Sequence, residues 1–211
     1  MRQWVLILVG LWLGAGCSLP RSDLPPVRIY TLQAPVPPTV EKAFPAHLVV
    51  SVNYVSPALA SNRIMVMPDP NRYDFLANAA WPATTPIYLR DLMLRTFLDS
   101  RAFRSVGAAP RTGEINYSLN LQVYDFEAVY EAGQPAPRIQ VRLVGLLGRL
   151  DLGQRGEETV YVAEAGRDAT DNSLGAIVTA FESAFQQVAL EIQASVTRDL
   201  RQQLRKPPGA G

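Results

Sequence analysis

Side chains that bind metals or act as nucleophiles are scarce in this chain of 211 residues, which contains one Cys, Cys17, and one His, His47. Zinc and iron–sulfur sites need several Cys or His ligands, and a disulfide within one chain needs two Cys residues. Nucleophilic catalysis also lacks its usual base, because His47 has no second His to accompany it. We therefore predict that the protein is not an enzyme and has no metal site, and that His47 lies at the polar edge of a strand.

Two carboxylates, Asp125 and Glu127, are the remaining candidates for acid–base chemistry. They lie two residues apart, so in a strand they project from the same face and could form an acid pair. The alternative is a solvated sheet face. Phosphate binding has little support, because residues 145–156 lack the strand–Gly-x-Gly-x-x-Gly–helix order and no Gly-x-x-x-x-Gly-Lys-Ser/Thr motif is present.

Two other sets of side chains are suited to binding rather than to catalysis. Tyr124 and Phe126 are predicted to share one strand face with Tyr130 further along, where they would either line an apolar groove for a lipid or pack in the core. Arg138 and Arg142 share a face of the next predicted strand. They would either contact an anionic partner, since Arg binds carboxylates and phosphates bidentately, or lie on a solvated face.

The elements that position these residues follow from the hydrophobic pattern. Alternating apolar and polar side chains predict strands, and apolar residues that recur every three or four positions predict helices. The predicted strands cover residues 27–33, 47–55, 63–67, 73–75, 116–129, 138–150 and 158–163, with a turn at 153–157. One helix is predicted over about residues 86–101, and a long one from a cap at Asp171 or Ser173 to about residue 204.

These elements predict a single domain over residues 47–204, a two-layer α/β sandwich in which two amphipathic helices pack on a mixed, mostly antiparallel sheet. Residues 17–46 are rich in proline and are predicted to form a tether that contains the first strand. Residues 205–211 are predicted to be a flexible tail. The 20 basic and 19 acidic residues give a net charge of +1, which does not indicate a nucleic-acid partner.

The first sixteen residues have the layout of a secretory signal peptide. A basic start at Arg2 precedes an apolar run from Trp4 to Leu13 and a small-residue exit at 14–16. This run is shorter than the stretch of about 20 apolar residues that a membrane-spanning helix needs. Cleavage after residue 16 would remove Arg2 and no acid, and would leave a neutral chain.

The run Leu13-Gly14-Ala15-Gly16-Cys17 resembles the lipobox of bacterial lipoproteins, with Gly14 where a branched apolar residue is usual. The resemblance implies that Cys17 takes a diacylglyceryl group and becomes the N-acylated first residue, with acyl chains such as palmitate. Ser18 stands where an Asp holds enterobacterial lipoproteins at the inner membrane, so the resemblance implies sorting to the outer membrane, facing the periplasm. The alternative is an ordinary signal peptide in which the Cys is incidental.

The order of motifs in the mature chain resembles the ABC-type transport auxiliary lipoproteins. Those motifs are Arg28-Ile29-Tyr30-Thr31-Leu32 after Cys17, a Val-rich strand at 48–55, Arg63-Ile64, Trp81 ahead of a helix with Leu92 and Leu98, Tyr117-Ser-Leu-Asn-Leu, and Ala180-Phe181-Glu182-Ser183-Ala184. The resemblance implies a non-enzymatic accessory subunit of an ABC transporter with mammalian-cell-entry (MCE) domain and permease subunits, of the paraquat-inducible type. Such systems move lipids or other apolar molecules between the two membranes. It also leaves open a homo-oligomer, and a lipid carrier that holds cargo in its own sheet–helix groove.

Overall fold

The structure, a computed structural model, describes residues 25–151, 154–155 and 158–205. The strands within these residues are β1 (Arg28–Ile29), β2 (Phe44–Val55), β3 (Arg63–Asp69), β4 (Arg72–Ala80), β5 (Phe103–Gly107), β6 (Asn116–Val129), β7 (Arg138–Asp151), β8 (Gln154–Arg155) and β9 (Thr159–Asp168). The helices are α1 (Thr85–Ser100) and α2 (Leu174–Arg205), with a short 3-10 helix at Pro57–Leu59.

Strand β6 is the centre of the sheet. One of its edges pairs with β7 along its whole length, and β7 pairs in turn with β8 and β9. Its other edge pairs with β2 over residues 116–123 and with β3 over residues 127–129. Strand β5 lies outside β2, and β4 and β1 lie outside β3. The predicted fold class, a two-layer sandwich in which two helices pack on a mixed, mostly antiparallel sheet, is confirmed. The described residues form four parallel and four antiparallel pairings, and the two longest, β6 with β7 and β7 with β9, are antiparallel.

Proline explains why two successive strands share one edge of β6. The N–H of Ser56 still donates to the carbonyl of Val123, but Pro57 has no N–H and cannot extend the ladder. The chain then forms the 3-10 turn, which buries Leu59, and returns to the same edge as β3. Strand β6 thus has a continuous partner made of two shorter strands.

Both helices begin where the sequence predicts a start. Pro86 lies in the first turn of α1, where a missing N–H costs nothing. Of the two predicted caps for α2, Ser173 is the one whose side-chain oxygen accepts the N–H of Ala176, at 3.2 Å. The apolar stripe of each helix faces the sheet, and the residues predicted on these stripes are buried or half-buried. Neither described helix has the length and apolar character needed to cross a bilayer.

The core lies between the sheet and the helices and is rich in aromatic rings. Trp81, at the end of β4, packs on Phe126 of β6 and Phe181 of α2, with ring centroids 5.6 and 5.4 Å away, and those two rings are 5.0 Å from each other. All three side chains are almost completely buried. Side chains therefore fill the space between sheet and helices at this point.

The proline-rich segment differs from the predicted tether over its described part. The N–H of Leu32 donates to the hydroxyl of Tyr88 on α1, and the N–H of Gln33 donates to the carboxylate of Glu182 on α2 at 2.6 Å. Further along, the N–H of Val40 donates to the carbonyl of Ser100. Pro35 and Pro37 are buried. The segment thus lies along the seam between the helices, so the described residues that precede residue 47 are packed on the domain rather than standing apart from it.

Candidate partner-binding face

The face of the sheet that points away from the helices carries rows of side chains from β6, β7 and β9, and is called the outer face below. Register partners on neighbouring strands project from the same face. One row consists of Asp125, Arg142 and Glu164. Two rows further along the same face, Arg138 lies beside Asp168. The predicted placement of Arg138 and Arg142 on one face is therefore confirmed.

Both arginines of this face contact acidic residues of β9. The Nη1 of Arg138 lies 2.8 Å from Oδ1 of Asp168, and the Nε of Arg142 lies 4.0 Å from Oε2 of Glu164. The arginine side chains are about half exposed and the acidic ones about three-quarters exposed, so these ion pairs contribute little to stability. A shallow depression of about 310 Å³ is lined by both arginines and Glu164, together with Asp125 and Gln140. Its mixed charges suit a polar protein surface better than a single anion.

The neighbouring rows of the outer face are apolar. Val160 and Val162 on β9 are 57% and 53% exposed, and their register partners on β7 are Leu146 and Val144. Strand β9 pairs only with β7 among the described residues, so its other edge is free. Valine on a free edge exposes both apolar side chains and unpaired backbone groups, a combination found where strands meet partners.

An aromatic pair borders these valines and corrects one prediction. The rings of Tyr54 and Tyr124 lie 5.4 Å apart, and the guanidinium of Arg142 lies 5.8 Å from the ring of Tyr124. The register of β6 shifts between Val123 and Asp125, which marks a β-bulge at Tyr124. The bulge leaves Tyr124 exposed while Phe126 enters the core, so the prediction that the two share a face is wrong.

Tyr130 lies apart from both residues. Its hydroxyl donates to Oδ1 of Asn172, in the loop before α2, at 2.7 Å, and burial raises its pKa. Tyr124, Phe126 and Tyr130 therefore do not line a common groove. Their contacts are an exposed ring pair, a core cluster and a loop contact.

The predicted acid pair does share the outer face, because Asp125 and Glu127 pair with Arg142 and Gln140 of β7. Burial raises the pKa of Asp125, and the charge of Arg142 partly opposes this effect. Burial raises the pKa of Glu127 to about 7, although its carboxylate accepts the N–H of Phe126 at 2.7 Å. Sequence reasoning missed this burial, since it depends on β3 lying against the far end of β6.

His47 is buried rather than placed at a polar edge. Its Nε2 lies 2.9 Å from the carbonyl oxygen of Ala109, and its Nδ1 lies 2.7 Å from Oγ of Ser105. A carbonyl only accepts, so Nε2 must carry a proton, and in the neutral ring Nδ1 then accepts from the hydroxyl of Ser105. Both ring nitrogens are thus used in joining β2 to β5 and to the loop that follows it.

No candidate metal site is found in the part of the chain that the structure describes, because no three His, Cys, Asp or Glu side chains there are grouped to hold an ion. Cys17 and Ser18, predicted to carry the lipid and the sorting signal, lie outside the described residues. So does most of the turn predicted at 153–157.

Several solved structures share this fold, among them the following two. A DUF330-family protein from Xanthomonas campestris is 24% identical, with a TM-score of 0.70 over 85% of this chain and 100% of its own. The structure of an uncharacterized protein is 18% identical, with a TM-score of 0.59 over 83% of this chain and 99% of its own. Identities this low show likeness of fold alone.

The chain has no significant match among curated proteins. The sequence profile of the family described as "ABC-type transport auxiliary lipoprotein component" matches residues 30–193. This match extends from the segment along the helices, through strands β2 to β9, into α2, and it confirms the resemblance seen in the sequence. The protein therefore belongs to the ABC-type transport auxiliary lipoprotein family.

Proposed function

We propose that the protein is an outer-membrane lipoprotein whose domain docks, through the outer face, on the periplasmic subunits of an MCE-type ABC transport system. Acyl groups on Cys17 would hold it in the membrane, with Ser18 permitting export to the outer membrane. The system would move lipids or other apolar molecules, and this subunit would act by binding rather than by catalysis. Family membership supports the auxiliary role. The outer-membrane location, the MCE-type partners and the apolar cargo belong to the proposal.

The observation that carries the docking role is the pair of exposed valines at the free edge of β9. Val160 and Val162 are each more than half exposed, although valine is among the residue types most often buried. The tyrosine pair and the two ion pairs border them on the outer face. Apolar residues and aromatic rings rimmed by charged groups are typical of a surface that binds another protein.

The carrier alternative has less support. It requires a groove between the sheet and the helices, and Trp81, Phe126 and Phe181 pack against one another there. Tyr124 and Tyr130 point elsewhere, so the aromatic side chains expected to line such a groove do not converge.

Docking can be tested with one substitution on each side of the domain. Val162→Asp places a charge in the apolar part of the outer face, and Leu98→Asp makes the same kind of change on α1, where Leu98 is 51% exposed. We expect Val162→Asp to reduce recovery of the MCE-domain subunit with the affinity-tagged protein at least tenfold, and Leu98→Asp to leave recovery unchanged. Equal recovery with both variants would show that the outer face is not the docking surface.

The lipid anchor has its own test. Cys17→Ser removes the thiol to which the acyl chains would be attached, and each buried methylene contributes about 0.8 kcal/mol to membrane binding. We expect the variant to leave the outer-membrane fraction. A variant that sediments with the outer membrane as firmly as wild type would overturn the anchor.

A further inference from the structure

Two adjoining cavities lie where the proline-rich segment crosses the C-terminal half of α2. Their volumes are about 500 and 760 Å³, and they share Thr39, Val40 and Arg201. Arg198 lines the first cavity and Lys42 the second. These five residues define what is called the basic cleft below.

The charge of the basic cleft is distinctly positive. Arg198 and Arg201 lie three residues apart on α2, so both are on the same side of the helix, and Lys42 faces them from the segment. Glu41 is the one acidic residue among those that line the two cavities. Three positive charges against one negative charge favour an anionic ligand.

The three basic side chains of the cleft also take no part in the ion pairs of the described residues. Ion pairs within the described residues engage five other arginines: Arg72, Arg90, Arg111, Arg138 and Arg142. None of them includes Lys42, Arg198 or Arg201. In a chain with nearly balanced charges, the basic cleft therefore concentrates cations whose charges are not neutralised within the described structure.

The remaining lining of the basic cleft is partly polar and partly apolar. Gln193, Thr197 and Gln202 of α2 contribute polar groups. The apolar side chains are more numerous, and beside Val40 they are Pro38, Ala43 and Pro45 of the segment, Phe44 at the start of β2 and Ala194 of α2. A small inorganic anion would use the cations and leave these surfaces wet, whereas a molecule with a charged head and an apolar body would cover both. Each of the two volumes is in the range of sites that take small organic ligands.

We propose that the basic cleft binds the phosphate-bearing head group of an anionic phospholipid. Guanidinium groups donate two parallel N–H bonds to a phosphate, and two arginines one helical turn apart can hold one phosphate from the same side. A zwitterionic head group brings its own cation and binds less well, because the cleft already has an excess of positive charge. This inference deepens the proposed function, on which it rests for the presence of lipid at this protein.

Lipid retention by the full chain tests the proposal. The protein, purified in a non-ionic detergent, is incubated with palmitoyl-oleoyl phosphatidylglycerol or with the matching phosphatidylcholine, and bound lipid is counted by native mass spectrometry. We expect at least fivefold more phosphatidylglycerol than phosphatidylcholine, at one molecule per chain. Addition of inorganic phosphate at millimolar concentration should displace little of the lipid, and complete displacement would overturn the lipid as the ligand.

Matched variants test whether the lipid binds in the basic cleft. R198Q/R201Q should lower phosphatidylglycerol retention to the phosphatidylcholine level, whereas R72Q/R111Q removes the same charge at exposed positions outside both the basic cleft and the outer face and should leave retention unchanged. Undiminished retention by R198Q/R201Q, or equal retention of both lipids by wild type, would overturn the proposal. Recovery of the MCE-domain subunit, measured on the same variants, separates this failure from a failure of docking.

Discussion

Glu127 on β6 is the register partner of Met65 on β3, and both side chains are buried, with Glu127 only 5% exposed. A carboxyl group placed beside a thioether and out of contact with water favours its neutral form. This placement raises the pKa of Glu127 to about 7, and the negative charge of Asp125 adds to the effect.

Glu127 should therefore make the stability of the domain depend on pH. Its folded-state pKa is above its unfolded value, so its stabilising effect is fully present below about pH 4.5 and is lost as the pH rises through about 7. We expect Glu127→Gln to raise the free energy of unfolding at pH 8 by about 1 to 3 kcal/mol relative to wild type, with no gain at pH 4. Urea unfolding at both pH values measures this. Glu164→Gln is the exposed control, and a gain of equal size at pH 4 and 8 would contradict the titration.

Gly166 on β9 allows Arg138 to lie across the strand. A Cβ at Gly166 would overlap Nη2 of Arg138, so Gly166→Ala must displace the guanidinium. Because the displaced group is the end of a flexible side chain, we expect a stability loss below about 1 kcal/mol. The interaction between Arg138 and Asp168, measured with a double-mutant cycle, should fall to zero in the Gly166→Ala background. An unchanged interaction energy would show that the guanidinium does not need this space.

Long regular elements were predictable from local pattern. Strands β6 and β7 alternate over long stretches, at residues 117–123 and 138–143, and α2 combines a serine cap with an apolar stripe, so each element is specified largely by its own residues. Strand β5 was missed because its five residues are too few to show a period, and it depends on pairing Phe103 with the distant Phe44. The family, too, was recognisable from the order of short motifs.

The candidate site was less predictable, because it depends on long-range placement. A bulge at Tyr124 reversed the expected relation to Phe126. Its one local sign is that the apolar positions change from odd numbers up to Val123 to even numbers from Phe126. The prolines of residues 17–46 predict extended chain, but whether its described part stands free or lies in a groove depends on α1 and α2. The basic cleft likewise joins Lys42 to Arg201, two positions that are far apart in the sequence.

The contact of the proline-rich segment with α1 gives a stability prediction. Tyr88→Phe removes the hydroxyl that accepts the buried N–H of Leu32. A buried N–H without an acceptor costs about 1 to 3 kcal/mol, so we expect the free energy of unfolding to fall by that amount. Limited proteolysis should also cut residues 33–43 faster in the variant. Tyr73→Phe, at an exposed tyrosine on β4, is the control, and if both variants behave alike, the segment is not held by this hydrogen bond.

The N-terminal cap of α2 gives a prediction about stability. This helix contributes side chains to both the core and the basic cleft. The Oγ of Ser173 accepts the N–H of Ala176, and the N–H of Ser173 itself donates to the carboxylate of Asp171. Ser173→Ala leaves the N–H of Ala176 without its side-chain acceptor, and we expect a loss of about 1 kcal/mol in the free energy of unfolding. Ser195→Ala changes the same residue type in the helix interior, where alanine is the better helix former, and should be neutral or slightly stabilising. Equal losses for the two variants in thermal unfolding would show that Ser173 contributes nothing as a cap.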